Sequence, residues 1–113
     1  MAINWTSYTH SNPLEKHLRE VVDRTWNFAG KCKTWDDHVL NAAMGLAGEA
    51  GEVLDVHKKH YFHADKDRRA EVREELGDVC FYLPKAIELW GFTLEECCED
   101  NKVKLFSRYG ITE

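Results

Sequence analysis

The chain has 113 residues, enough for one domain with its own core and too few for two. Hydrophobic residues make up 43% and charged residues 31%, an ordinary globular balance. The net charge of −5, with no basic face long enough for a duplex, excludes a nucleic-acid polymer as the main partner.

The start, Met1-Ala2-Ile3-Asn4-Trp5, lacks the pattern of a signal peptide, and no apolar run reaches membrane length. Cys32, Cys80, Cys97 and Cys98 have no Cys-x-x-Cys spacing and are expected as reduced thiols in a cytoplasmic protein.

In chain order, residues 1–11 are polar and aromatic without a period, and are expected as an arm on a single domain spanning 1–113. Asn12-Pro13 marks a helix start, Asn as cap and Pro at the first helical position. Leu14, Leu18, Val21, Val22 and Trp26 follow at helical spacing to about Phe28, and Gly30 ends the run. Thr34-Trp35-Asp36-Asp37 resembles a capping box with Asp in place of Glu. The second helix then runs to about Phe62 and carries Gly45, Gly48 and Gly51 inside it. Each glycine costs about 1 kcal/mol relative to Ala, so close approach of a helix or a ligand is expected there.

After the polar link His63–Asp67, a third helix starts near Arg68 and ends at Gly91, with Pro84 predicting a kink. Thr93-Leu94-Glu95-Glu96 is a capping box for a fourth helix that runs to about Tyr109. The expectation is an all-α, four-helix bundle-like domain. Its apolar surface, with Trp5, Trp26, Trp35 and Trp90, exceeds what so small a domain covers, so a homo-oligomer is expected.

Two acidic pairs organise this frame. Glu49 and Glu52 are spaced i, i+3 on the second helix, and Glu75 and Asp78 have the same spacing on the third. Both pairs sit in apolar stretches where an unpaired carboxylate is expensive. The short link makes the two helices antiparallel neighbours. Glu52 lies roughly 15 Å before the end of the second helix, and Glu75 roughly 10 Å after the start of the third. The pairs can therefore face each other. Four carboxylates together call for a cation, and an all-oxygen ligand set suits Mg²⁺ or Mn²⁺ better than zinc.

Neighbours on the same faces extend the site. Asn41, Lys59 and Tyr82 share helix faces with the acidic residues. Asn101, Lys104 and Arg108 form a polar and basic stripe on the fourth helix, suited to phosphate oxygens. Trp35 and His38 are candidates to hold a base, although Trp35 fits a core staple equally well. His57, His60 and His63 spread around the helix end and are expected to be solvated rather than to bind metal.

About residues 38–109 resemble the all-α nucleoside triphosphate pyrophosphohydrolases of the MazG type. The matching residues are Leu46-Ala47-Gly48-Glu49-Ala50-Gly51-Glu52-Val53, Lys58-Lys59, Glu74-Glu75-Leu76-Gly77-Asp78-Val79 with Tyr82-Leu83, and Asn101-Lys102-Val103-Lys104-Leu105 with Arg108-Tyr109. Gly48 departs from the pattern, where many members have a first Glu; this leaves the number of metals open. The resemblance implies Glu49, Glu52, Glu75 and Asp78 as magnesium ligands, and Asn101, Lys104 and Arg108 as phosphate contacts. It implies a dimer or dimer of dimers with sites near subunit contacts. The reading that follows is a nucleoside triphosphate substrate cut to monophosphate and pyrophosphate; one carboxylate can also act as general base, Glu49 or Glu52 by preference. Alternatives are a dUTP- or dCTP-selective enzyme, a phosphoribosyl-ATP hydrolase, a non-catalytic nucleotide-binding module and a helical dimerisation domain.

Overall fold

In the computed structural model of the chain, residues 13–112 are described. The expected arm over 1–11 and the Asn12 cap lie outside them. Four α-helices follow one another: α1 (Pro13–Thr25), α2 (Trp35–Lys58), α3 (Arg69–Glu88) and α4 (Leu94–Tyr109). No strand occurs among the described residues, and no helix there is long and apolar enough to cross a membrane.

The helix ends follow local chemistry. α1 stops at Thr25, three residues short of the expected end, because Asn27 takes a left-handed φ of +56°. Its side-chain amide then brackets Cys32, donating to the carbonyl at 3.0 Å and accepting from the N–H at 2.8 Å. α2 begins on a complete capping box: the Thr34 hydroxyl accepts from the Asp37 N–H at 3.1 Å, and the Asp37 carboxylate accepts from the Thr34 N–H at 3.1 Å. From Lys59 to His63 the helix widens into a π-helical turn, which ends where Ala64 adopts a φ of +50°. α3 continues through the buried Pro84. α4 has the expected Thr93–Glu96 box and stops at Gly110, whose φ of +64° suits glycine.

α2 and α3 form the main packing unit, and α1 lies on α3. Val22, Ala42, Val56 and Leu89 are the fully buried apolar residues described, a small core. Gly45 has a definite reason: a β-carbon there would meet the Tyr82 ring at 2.2 Å, so only glycine lets α3 approach so closely. Gly48 and Gly51 meet nothing within 4 Å, so close helix approach does not account for them in one protomer.

α1 buries a different stripe from the one its apolar residues mark. Leu14 is 61% exposed and Val21 45%, whereas Glu15, Arg19 and Val22 are buried. Arg19 pairs with Glu88 of α3 and with Asp23. Glu15 Oε1 accepts from the Leu94 N–H at 3.1 Å, fixing the start of α4 beside α1. Buried Lys85 lies 5.4 Å from the centre of the Trp26 ring, a cation–π distance. Burial lowers the Lys85 amine to about 8; Glu88 opposes the shift and Arg19 adds to it. Beyond its first turn α4 makes little contact with the other three helices.

Candidate metal and nucleotide site

The antiparallel packing of α2 on α3 brings three of the four expected carboxylates together. Single oxygens of Glu49, Glu75 and Asp78 lie within 4.8 Å of one another, with Glu49 and Glu75 partly buried and Asp78 exposed. Desolvation raises the Glu75 carboxyl above its ordinary value, and the charges of Asp78, Glu49, Glu52 and Glu74 push in the same direction. Glu52 stands outside the close trio, yet its charge is felt at Glu75.

The donor set fits a hard divalent cation. Octahedral oxygen ligands about 2.1 Å from Mg²⁺ lie roughly 3–4 Å apart, so small side-chain rotations close the trio around one ion. Three carboxylates without nitrogen or sulfur disfavour zinc. A carboxyl raised in this way, as at Glu75, gains from any cation that enters beside it.

The other expected residues fall into four groups. Tyr82 lies against Gly45, one turn beyond Asp78, with its ring edge-on to Trp26 at 6.0 Å. His38 accepts a hydrogen bond from the Trp26 indole at 2.9 Å, and burial followed by the Lys85 charge lowers its imidazole below the ordinary value. Asn41 is exposed on α2, one turn after His38. Trp35 sits apart from this group: its indole donates to the Leu89 carbonyl at 3.0 Å and its ring meets Trp90 edge-on at 4.7 Å. Lys59 pairs with Asp55 at 2.9 Å. Asn101, Lys104 and Arg108 are exposed on α4, and because α4 does not pack along α2 and α3, one protomer does not bring them to the acidic trio.

Trp26 escaped the sequence reading of the site. It gathers His38, Phe81 and Tyr82 around it, with ring centres 6.3, 6.1 and 6.0 Å away. Its spacing four residues after Val22 signals the buried face of α1, but its reach to α2 depends on the turn at Asn27, which that spacing does not encode.

A family model described as the MazG nucleotide pyrophosphohydrolase domain matches residues 38–110. The matched span carries both acidic pairs and the stripe on α4; α1, Trp26 and Trp35 precede it. Comparison with curated proteins and with solved structures gives no match.

Proposed function

We propose, for a chain that belongs to the MazG nucleotide pyrophosphohydrolase family, magnesium-dependent hydrolysis of nucleoside or deoxynucleoside triphosphates to the monophosphate and pyrophosphate. The observation that carries this reading is the close carboxylate trio Glu49, Glu75 and Asp78 within the matched span.

Glu49, Glu75 and Asp78 hold the cation, for which Mn²⁺ can substitute for Mg²⁺. When bound, the ion supplies charge neutralisation and Lewis-acid polarisation at the α-phosphate. Glu52 stands outside the trio but within range for its charge to act on Glu75, and is the carboxylate left to accept the proton of the attacking water. Tyr82 and Asn41 orient the nucleotide, and the Trp26–His38 pair gives the base a flat aromatic neighbour.

Asn101, Lys104 and Arg108 would neutralise the departing pyrophosphate. Within one protomer they lie on a helix that leaves the acidic trio uncovered. A second copy supplies them in the arrangement proposed here, a homodimer or a dimer of dimers with sites near the subunit contact. Exposed Leu40, Met44 and Leu54 on α2 offer the apolar surface for that contact.

A panel of nucleoside triphosphates, incubated with protein and Mg²⁺ and then separated chromatographically, tests the reading and gives base preference. Turnover lost in chelator and restored by Mg²⁺ or Mn²⁺ supports it. Full turnover in excess chelator refutes the metal assignment, and no turnover on any nucleotide refutes the enzymatic one.

A further inference from the structure

The π-helical turn that closes α2 helps shape a second site. An open pocket of about 300 Å³ lies beside it, lined by His57, His60, Tyr61, Arg69 and Val72. The backbone fixes both imidazoles in defined roles. His57 Nδ1 lies 2.7 Å from the Val53 carbonyl, which can only accept, so this nitrogen carries a proton and Nε2 is left for a ligand. His60 Nδ1 accepts from the Arg68 N–H at 3.2 Å, so its Nε2 carries the proton and donates. Together with the Arg69 guanidinium and the Tyr61 hydroxyl, the lining offers three kinds of donor group.

One cation lining the pocket is poised for an anion. Of the basic residues at this end, Lys59 is paired with Asp55 at 2.9 Å and Lys66 with Glu71 at 3.3 Å. Arg68 is committed to Asp65 and Glu71, at 2.9 and 3.1 Å. Arg69 is held loosely: its Nε lies 3.8 Å from Asp67, and its side chain is nine-tenths exposed. Arg69 is also the first residue of the 20-residue α3, where the helix dipole is positive.

The pocket is separate from the acidic trio. Along the helix axes, His57 lies roughly 12 Å beyond Glu49 on α2, and Arg69 roughly 9 Å before Glu75 on α3. The two sites therefore lie at different heights along the α2–α3 pair.

We propose that this pocket binds a phosphate-type oxyanion, with Arg69, Tyr61 and His60 donating to its oxygens and His57 Nε2 bonding to a further oxygen. The oxyanion can be free pyrophosphate or the phosphate of a nucleotide. The inference does not rest on the hydrolytic reading.

The test is calorimetric titration of the whole chain in chelator with pyrophosphate, and separately with a nucleoside monophosphate. Without metal the acidic trio repels both probes. Saturable binding of both, weakened about tenfold in Arg69→Ala and unchanged in Asp78→Asn, is the expected result, with perturbed His57 and His60 imidazole NMR signals in the wild type. Pyrophosphate binding alone also supports the proposal and names the free anion as ligand. Monophosphate binding alone makes the base the determinant and overturns it, as does the absence of binding. Weakening by Asp78→Asn with Arg69→Ala silent places the anion at the acidic trio and also overturns it. Magnesium-dependent turnover, measured in parallel, should be within about twofold of wild type in Arg69→Ala; a collapse would join the pocket to the active site and contradict the separation.

Discussion

At Gly45 a methyl group would fall 2.2 Å from an atom of the Tyr82 ring, while at Gly51 it would meet nothing. The two glycines therefore respond in opposite ways to the same substitution. Gly45→Ala forces Tyr82 aside and costs about 1–3 kcal/mol as overpacking. Gly51→Ala gains up to about 1 kcal/mol of helix propensity in the metal-free monomer. Urea melts of both variants in chelator check the signs. Asp78 tests the metal assignment at the same scale. Its carboxylate repels Glu49 and Glu75 when no ion is present, so Asp78→Asn should be at least as stable as wild type in chelator. Because a ligand stabilises only the state that binds it, the rise in melting temperature on adding Mg²⁺ should shrink in the variant. A variant that is much weaker in chelator, yet gains as much from magnesium, would make Asp78 a structural residue. The convergence of Glu49, Glu75 and Asp78 was legible from i, i+3 spacing on neighbouring helices, whereas Glu52, called on the same spacing, stands outside the close trio. Trp26 was not legible, because its position depends on one left-handed residue, Asn27.

At the scale of the element, α1 shows how far periodicity carries. Its boundaries were nearly legible, but its buried face was not. Leu14 and Val21 follow helical spacing and stay exposed, while Glu15 and Arg19 go inside because α3 and α4 offer them partners. A buried ion pair is worth its Coulomb energy only against a desolvation cost of similar size, so no hydrophobicity pattern announces it. Lys85 gives this network a measurable signature. Its folded value of about 8 lies below the ordinary 10.5, so between those values the unfolded chain binds more protons than the folded one. Stability arising from this group therefore rises with pH through that window and is lowest below 8. Between pH 7.5 and 9.5 the wild type should gain roughly 1–2 kcal/mol relative to Lys85→Met, which lacks the titrating group. Urea melts at both pH values measure the difference. Equal changes in the two proteins would mean that the amine is not buried in solution.

At the scale of the molecule, the all-α frame was legible because capping boxes at Thr34 and Thr93 and glycines at the turns state the helix ends locally. The placement of α4 was not, because it depends on surfaces that no local signal describes. α4 stands away from α2 and α3, and Val103, Tyr109 and Ile111 remain exposed, as do Leu40, Met44 and Leu54 on α2. Such surfaces on a chain with few buried apolar residues are expected to close against a second copy. Sedimentation at micromolar concentration should show a dimer or tetramer, and Met44→Lys together with Leu54→Lys should shift it toward monomer. A wild-type monomer under those conditions would contradict the assembly. In the proposed assembly, loss of the subunit contact also removes Lys104 and Arg108 from the site, so the monomeric variant should lose turnover while retaining its helical content.

In the proposed reaction the acidic trio directs cleavage between the α- and β-phosphates. Phosphorus NMR of the products, formed by the wild type and by Asp78→Asn with Mg²⁺ and with chelator, reads the cleaved bond itself. Monophosphate and pyrophosphate in a one-to-one ratio, from the wild type with Mg²⁺ alone, is the predicted result. Nucleoside diphosphate with orthophosphate, or equal turnover by Asp78→Asn in chelator, would contradict it.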